Sequence, residues 1–274
     1  SVSGRFLFHQ SLNNTTEFPI QNSCVMAKSR FEYVRSFEIA DSLLKNAWIV
    51  VRIDGRSFHR FTSEHQFRKP NDDRGLNLMN NCAMAVMQDM SDIVLAYGQS
   101  DEYSFIIDRK SSLYRRRSSK LISTIVSMFS SSYVMKWSEH FGNYPLKFAP
   151  CFDGRVILYP TDDNVKDYLR WRQADCHINN LYNTAFWSLV QQGGRSNIEA
   201  EQDLMGTDSS DKNELLFSRF GINYNNEPAM HRKGSVLVRY DPERPDTKRT
   251  NPQLTHLDLI GNDFWSKLYP NVIR

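Results

Sequence analysis

The chain has 274 residues, 40% of them hydrophobic and 24% charged, with a formal net charge of +3, which suits one large domain or two small ones with a real core. No apolar stretch approaches the roughly 18 residues that a helix needs to cross a bilayer. Cys24, Cys82, Cys151 and Cys176 lie far apart and form no CxxC pair, so neither a zinc knuckle nor a disulfide framework is expected, and a reducing compartment is the default.

The first 25 residues are rich in Ser, Asn and Thr, with Arg5 and a single acid, Glu17. They read as a disordered tail or a targeting segment, and Met26-Ala27-Lys28 has the look of an alternative start. Residues 48–54 (WIVVRID) are β-branched, apolar and stopped by Gly55, which predicts a strand. Its alternation puts Ile49, Val51 and Ile53 on one face, Arg52 and Asp54 on the other. A helix starts at Pro70-Asn71-Asp72, with Leu76, Met79, Asn80, Ala83, Val86, Met87 and Met90 at three-to-four spacing. Residues 93–97 and 102–107 form a hairpin around 98–101. A long helix covers 112–141, its buried stripe read as Leu121, Ile125, Met128, Phe129, Ser132 and Val134. Residues 152–159 (FDGRVILY) are a fourth strand, stopped by Pro160.

The order β-α-β-β-α-β predicts an α+β, ferredoxin-like split unit over residues 26–160. Its helices should cover one sheet face and leave the other free, with Arg52, Asp54, Asp153 and Arg155 looking out of it. Residues 161–274 read as a mainly helical region: helices at about 165–192, 197–205 and 209–220, a hairpin around Lys233-Gly234, and a Pro-rich charged loop at 241–254.

Within this frame Asp54 and Asp101 stand out. Each lies at a strand edge, and the split topology sets their strands side by side. Two such carboxylates can share two Mg²⁺ ions about 4 Å apart, which drive in-line nucleotidyl transfer. The Gly55 carbonyl is a further candidate ligand, and the amides of the loop Asp54, Gly55, Arg56, Ser57, Phe58 and His59 can cradle a triphosphate. Glu102 alternates away from Asp101 and reads either as support for that site or as structural. No Walker pattern occurs, so the chain is not a P-loop NTPase. Lys69 reads as a phosphate contact or an ordinary surface lysine. Arg109, Lys110, Arg115, Arg116, Arg117 and Lys120 cluster, as phosphate ligands or as a solvated helix face. His177, Asn180 and Thr184 recur as a polar helical stripe, suited to base edges or to solvent.

RIDGRSFHRF at 52–61, KPND at 69–72, YGQSDEYSF at 97–105, FDGRV at 152–156, DCHINNLYNT at 175–184, DKNE at 211–214 and INYNN at 222–226 together resemble the eukaryotic tRNA(His) guanylyltransferases. The resemblance implies a polymerase-palm-type fold and addition of a guanylate to the 5′ end of tRNA(His), in the 3′–5′ direction. It implies ATP-dependent adenylylation of the 5′-monophosphate, attack by the GTP 3′-hydroxyl with loss of AMP, and later removal of pyrophosphate. Carried over, Asp54 and Asp101 are catalytic and hold two Mg²⁺ ions with Gly55. Residues 54–59 with Ser100, Asp101, Lys69 and Lys120 bind nucleotide. Arg117, Arg155, His177, Asn180 and Lys212 are candidates for a second nucleotide or the tRNA. The family implies a homotetramer, and the N-terminal tail, which departs from the short family start, leaves the compartment open between cytoplasm, nucleus and mitochondrion. The competing readings are a template-dependent 3′–5′ repair polymerase, another palm-type enzyme such as a nucleotidyl cyclase, and a non-catalytic RNA-binding module.

Overall fold

The computed structural model describes residues 29–239 and 251–273. The predicted tail at 1–25 and most of the predicted loop at 241–254 lie outside them. Residues up to Ala40 form a unit of their own, whose described part holds one short helical turn, Glu32–Phe37. Everything that follows concerns the second unit, from Asp41 onward.

Its centre is a six-stranded sheet of β1 (Trp48–Gly55), β2 (Ile93–Gln99), β3 (Glu102–Ile107), β4 (Phe152–Tyr159), β5 (Ser235–Val238) and β6 (Gln253–Thr255), in the order β4-β1-β3-β2-β5-β6. Every pairing is antiparallel. The first four strands, with α1 (Phe58–Glu64), α2 (Asp73–Asp89) and α3 (Ser118–Phe141), make the predicted split unit. Asp72 starts α2 by accepting the Arg74 N–H at 3.0 Å, the usual way an N-cap satisfies an orphan donor. Leu78, Met79, Cys82, Ala83, Val86 and Met87 then face the sheet. In α3 the buried row is Leu121, Ile125, Phe129, Tyr133, Trp137 and Phe141, a ridge with four-residue steps. Val134, assigned to this row from the sequence, is 46% exposed. It stands thirteen residues after Leu121, so at about 100° per residue it comes out on the far side of the helix.

The expectation of a free sheet face does not hold. Trp48, Val50, Leu95, Tyr97 and Ile106 on that face are buried against Val165, Tyr168 and Leu169 of α4 (Asp162–Gln191) and against Phe264, Trp265, Val272 and Ile273. The sequence carried the signal: WIVV is apolar at every position, as a strand buried on both faces must be. Only beyond Val51, where Arg52 and Asp54 replace hydrophobes, does the face become polar.

The second half of α4 packs with α5 (Asn197–Leu204) and α6 (Ser209–Phe220) around Leu181, Ala185, Leu189, Ala200, Leu204, Leu216 and Tyr224. Both short helices begin with a capping box, Ser196 with Glu199 and Asp208 with Asp211, which satisfies donors at their first turns. The predicted hairpin around Lys233-Gly234 is absent. Residues Ala229–Lys233 form a short helix, α7, and β5 pairs with β2 instead. Gly234 makes the turn with φ 72°, and a Cβ there would meet the Gly98 carbonyl at 2.5 Å. The end of the predicted 241–254 loop becomes β6, paired to β5.

Candidate active site

Register builds the site. Asp54 lies directly opposite Glu102 on β3 and Asp153 on β4, and Arg52 lies opposite Ser104 and Arg155. Directly opposed residues share a face, so Asp153, Asp54 and Glu102 form a row across three strands, with the two arginines in the next row. Glu102 therefore shares the face of Asp54. Alternation from Asp101 misleads because Ser100, at φ 50°, and Asp101 form the turn between β2 and β3 rather than part of a strand.

The carboxylates of this region are in different electrostatic states. Glu102 is buried and accepts from Arg172 at 2.8 and 3.1 Å, with the Arg52 Nε at 3.8 Å. Arg172 also donates to Asp175 at 2.7 Å. Asp153 has the exposed Arg155 at 3.6 Å. Asp101 has no such compensation: burial, and then the neighbouring Asp54 charge, push its carboxyl up from 3.8 to about 6, against the opposing pull of backbone and Ser100 hydrogen bonds. A partly buried acid facing another carboxylate is an arrangement typical of functional sites.

Gly55 is where β1 meets this turn. Its N–H donates to the Asp101 carbonyl at 3.1 Å, so the turn folds back over the strand end. A Cβ on Gly55 would stand 2.4 Å from the Phe58 ring and 2.8 Å from Asp101 Oδ2. Gly55→Ala is therefore expected to displace the Asp101 carboxylate and slow turnover about a hundredfold, the scale set by ångström misplacement of a reacting group. Single-turnover rates beside a thermal melt test this, and an active alanine variant would show the close approach to be dispensable.

The Asp54–Asp101 pair also answers to a metal. Among the described residues no group of three or more His, Cys, Asp or Glu side chains could hold an ion, which argues against an all-protein cage. Magnesium differs in needing only one or two carboxylates, its other positions going to water and substrate phosphates. Two repelling carboxylates beside a bare glycine backbone fit that pattern.

Two cavities open on either side of Asp101. One, of about 470 Å³, is lined by Phe58, His59, Lys69, Tyr133, Tyr182, Phe186 and Trp187, among others. The second, of about 320 Å³, is lined by Asp54, Gln99, Glu102, Asn179, Asn180 and His231, among others. Ser100, Asp101, Pro70, Asn71 and Asn183 line both. In the first, Lys69 Nζ lies 5.8 Å from the Trp187 ring centroid, and burial lowers its pKa. Its ammonium donates to the Thr62 hydroxyl at 3.5 Å. A half-buried ammonium among aromatic rings is poised for an anion attached to a flat base.

The loop after β1 offers fewer free amides than its sequence implied, because Arg56 N–H donates to the Cys151 carbonyl at 2.8 Å and Gly55 N–H is taken as above. The amides of Ser57, Phe58 and His59 remain, at a first helical turn where intrahelical acceptors are missing. The Phe58 side chain belongs to the core, stacked on Phe61 at 4.7 Å.

Arg117, Lys120, Arg155, His177 and Lys212 line neither cavity. Arg117 pairs with Asp41 at 3.2 Å, and Lys120 is exposed on the first turn of α3. Lys212 donates to the Thr207 and Asp208 carbonyls at 2.8 and 3.2 Å, bracing the start of α6. His177 is half-buried beside the Tyr224 ring at 5.5 Å, and burial, then Arg232, lowers its pKa. Asn180 is buried as a clamp: it accepts from Asn71 at 2.9 Å and donates to the Tyr224 hydroxyl at 2.9 Å. Thr184 bonds back to the Asn180 carbonyl. The polar stripe thus points inward, and Asn180 shares the wall of the second cavity with its neighbours Asn179 and Asn183. Arg116 is likewise structural, donating to the carbonyls of Leu44, Ala47, Arg109 and Ser111 at 2.6 to 3.2 Å.

Sequence reasoning missed Asn71, Asn183 and the Tyr182, Phe186, Trp187 group. Aromatic residues four and five positions apart on a helix were the available signal.

Comparison with known proteins agrees with this architecture. The sequence model of the family described as tRNAHis guanylyltransferase matches residues 31–160, and that of the Thg1 C-terminal domain matches residues 163–260. A "Probable tRNA(His) guanylyltransferase" of Drosophila melanogaster is 59% identical over 88% of this chain and 84% of its own length. The crystal structure of the Saccharomyces cerevisiae enzyme superposes with a TM-score of 0.75 at 46% identity, covering 82% of this chain and 96% of that one. A bacterial Thg1-like protein solved in complex with ATP shares the fold, with a TM-score of 0.69 at 24% identity over 86% of this chain and 94% of its own. The motifs, the paired carboxylates and these matches lead to one conclusion: this chain belongs to the tRNA(His) guanylyltransferase family.

Proposed function

We propose that this chain transfers a guanylate from GTP to the 5′ end of tRNA(His), after ATP has activated that end. The observation that carries the reading is the meeting of Asp54 and Asp101 where an aromatic cavity and an amide-lined cavity join. Two adjacent nucleotide-sized spaces around one pair of carboxylates suit a reaction that brings a nucleoside triphosphate to a second nucleotide. Family membership supports it. Bacterial relatives of the same fold were solved with ATP and with GTP; for this chain, nucleotide binding is read from its own cavities.

Asp54 and Asp101, with the Gly55 carbonyl, would hold Mg²⁺. Bound there, Mg²⁺ supplies charge neutralisation between approaching phosphates and eases deprotonation of the attacking hydroxyl. The protein's own contribution is positioning. The rings of Tyr182, Phe186 and Trp187 offer a surface for a base, and Lys69 together with the Ser57–His59 amides meets the triphosphate. The GTP 3′-hydroxyl then forms a bond to the activated tRNA 5′-phosphorus, and AMP leaves with the bond that breaks. Lys120, Arg117 and Arg155, outside both cavities, are assigned to tRNA phosphates. Glu102, neutralised by Arg172, holds the start of β3, next to Asp101.

The test is transfer of labelled GTP to 5′-monophosphorylated tRNA(His), with ATP and Mg²⁺, beside tRNA(Phe). Labelling confined to tRNA(His) is expected. Equal labelling of both tRNAs would point to a broader 3′–5′ polymerase, and products formed from GTP alone to a cyclase. Absence of any label would sink the reading.

A further inference from the structure

Tyr133, on α3, is fully buried. Its ring packs within the aromatic core, 6.0 Å from Phe58, 5.9 Å from Phe61 and 5.6 Å from Phe152 between ring centroids. All of these contacts would be kept by phenylalanine. Its hydroxyl nevertheless finds no hydrogen-bond partner among the described residues. Native proteins rarely leave a buried hydroxyl unpaired, because the group has lost its water and gained nothing. Where they do, a ligand is a natural partner.

The surroundings say which ligand. Tyr133 lines the aromatic cavity together with Ser100, Asp101 and Lys69. Burial first, then the carboxylates Asp101 and Asp72, push the phenol well above its ordinary pKa. The proton stays on, so the hydroxyl is a donor looking for an acceptor.

We propose that the Tyr133 hydroxyl donates a hydrogen bond to a sugar or phosphate oxygen of the nucleotide bound in this cavity, an assignment that rests on the nucleotide reading of the cavity given above. The hydroxyl's missing partner is then supplied by the bound nucleotide. The hydroxyl adds affinity for nucleotide and takes stability from the empty fold. A purely structural tyrosine has the opposite signature, since its removal would loosen the fold and leave affinity alone.

The experiment is calorimetric titration of GTP, in the presence of Mg²⁺, into the wild-type protein and Tyr133→Phe, with thermal melts of both in the absence of nucleotide. We expect Tyr133→Phe to weaken GTP binding about tenfold, the loss of one good hydrogen bond. Its ligand-free Tm should equal or exceed that of the wild type. Inorganic triphosphate, titrated in parallel, locates the acceptor: equal weakening marks a phosphate oxygen, and weakening seen only with GTP marks the sugar. Unchanged GTP affinity overturns the assignment, as does a drop in Tm of several degrees with affinity intact. Lys69→Met separates the two levels of the argument. If it weakens GTP binding while Tyr133→Phe does not, the hydroxyl assignment alone fails. If neither matters, the nucleotide reading of the cavity fails with it.

Discussion

Asp101→Asn should abolish guanylate transfer and at the same time make the ligand-free protein more heat-resistant at neutral pH. The activity loss is expected to reach at least a thousandfold, roughly 4 kcal/mol, because the variant lacks a carboxylate for Mg²⁺. The stability gain follows from linkage. The carboxyl stands at about 6 in the folded protein against an ordinary 3.8, so folding disfavours its charged form. Below about pH 4 the group is protonated in both states and the penalty vanishes. It grows as the pH rises from about 4 to about 6 and is complete above that, reaching about 3 kcal/mol. Asparagine carries no charge and escapes it. In a chelator-containing buffer the Tm difference between variant and wild type should therefore be large at pH 7.5 and close to zero at pH 4. Added Mg²⁺ should raise the Tm of the wild type only, by mass action on the folded state. Near-normal turnover, or a variant less stable at both pH values, would refute the electrostatic account of the site.

The second large effect concerns the ion pair beneath the site. Arg172→Met should destabilise the protein by about 3 kcal/mol, because it strands Glu102 in a buried position. Among the described residues, the Arg52 Nε at 3.8 Å is then the cation that remains near that carboxylate, in place of the two short bonds from Arg172. Adding Glu102→Gln to the same chain removes the stranded charge and should restore most of the loss. Equilibrium unfolding in urea on the two single variants, the double and the wild type gives the coupling directly. A cost below about 1 kcal/mol for Arg172→Met would mean that Glu102 is solvated or paired elsewhere. The transfer rate should fall as well, since α4 and β3 are held together at the strand end that carries Asp101.

The two halves of the chain differed in how far they could be read. Strands β1 to β4 and helices α2 and α3 were legible because each carries a local signal: apolar runs on either side of a turn in residues 93–107, three-to-four spacing in 73–89. From the split order of these elements the adjacency of β1 and β3 followed, and the register confirms it. Asp54 and Asp101 were legible for the same reason, as acids interrupting apolar strands at their ends. The α3 row was read only in part, because a four-residue ridge drifts around the helix and its aromatic continuation, Tyr133, Trp137 and Phe141, resembles no simple stripe. The small hairpin at 233–234 was misread because a short apolar run says only that it is a strand. Which edge it joins is decided by β2, whose partner it becomes.

The sequence by itself determined the element order, the split βαββαβ core, the pair of strand-end aspartates and the family that its motifs resemble. These are local patterns, or consequences of their order along the chain. Only the tertiary structure decided that both sheet faces are buried, that Glu102 is neutralised by Arg172 some seventy residues away, and that Asn180, which lines a cavity with Asn179 and Asn183, is also a clamp. It also brought Lys69, Tyr133 and Trp187 around one space beside Asp101. Such facts depend on which helix covers which strand, and on the residual rotation of each helix against the sheet. Those are settled by packing between residues far apart in the chain, where no local period carries the information.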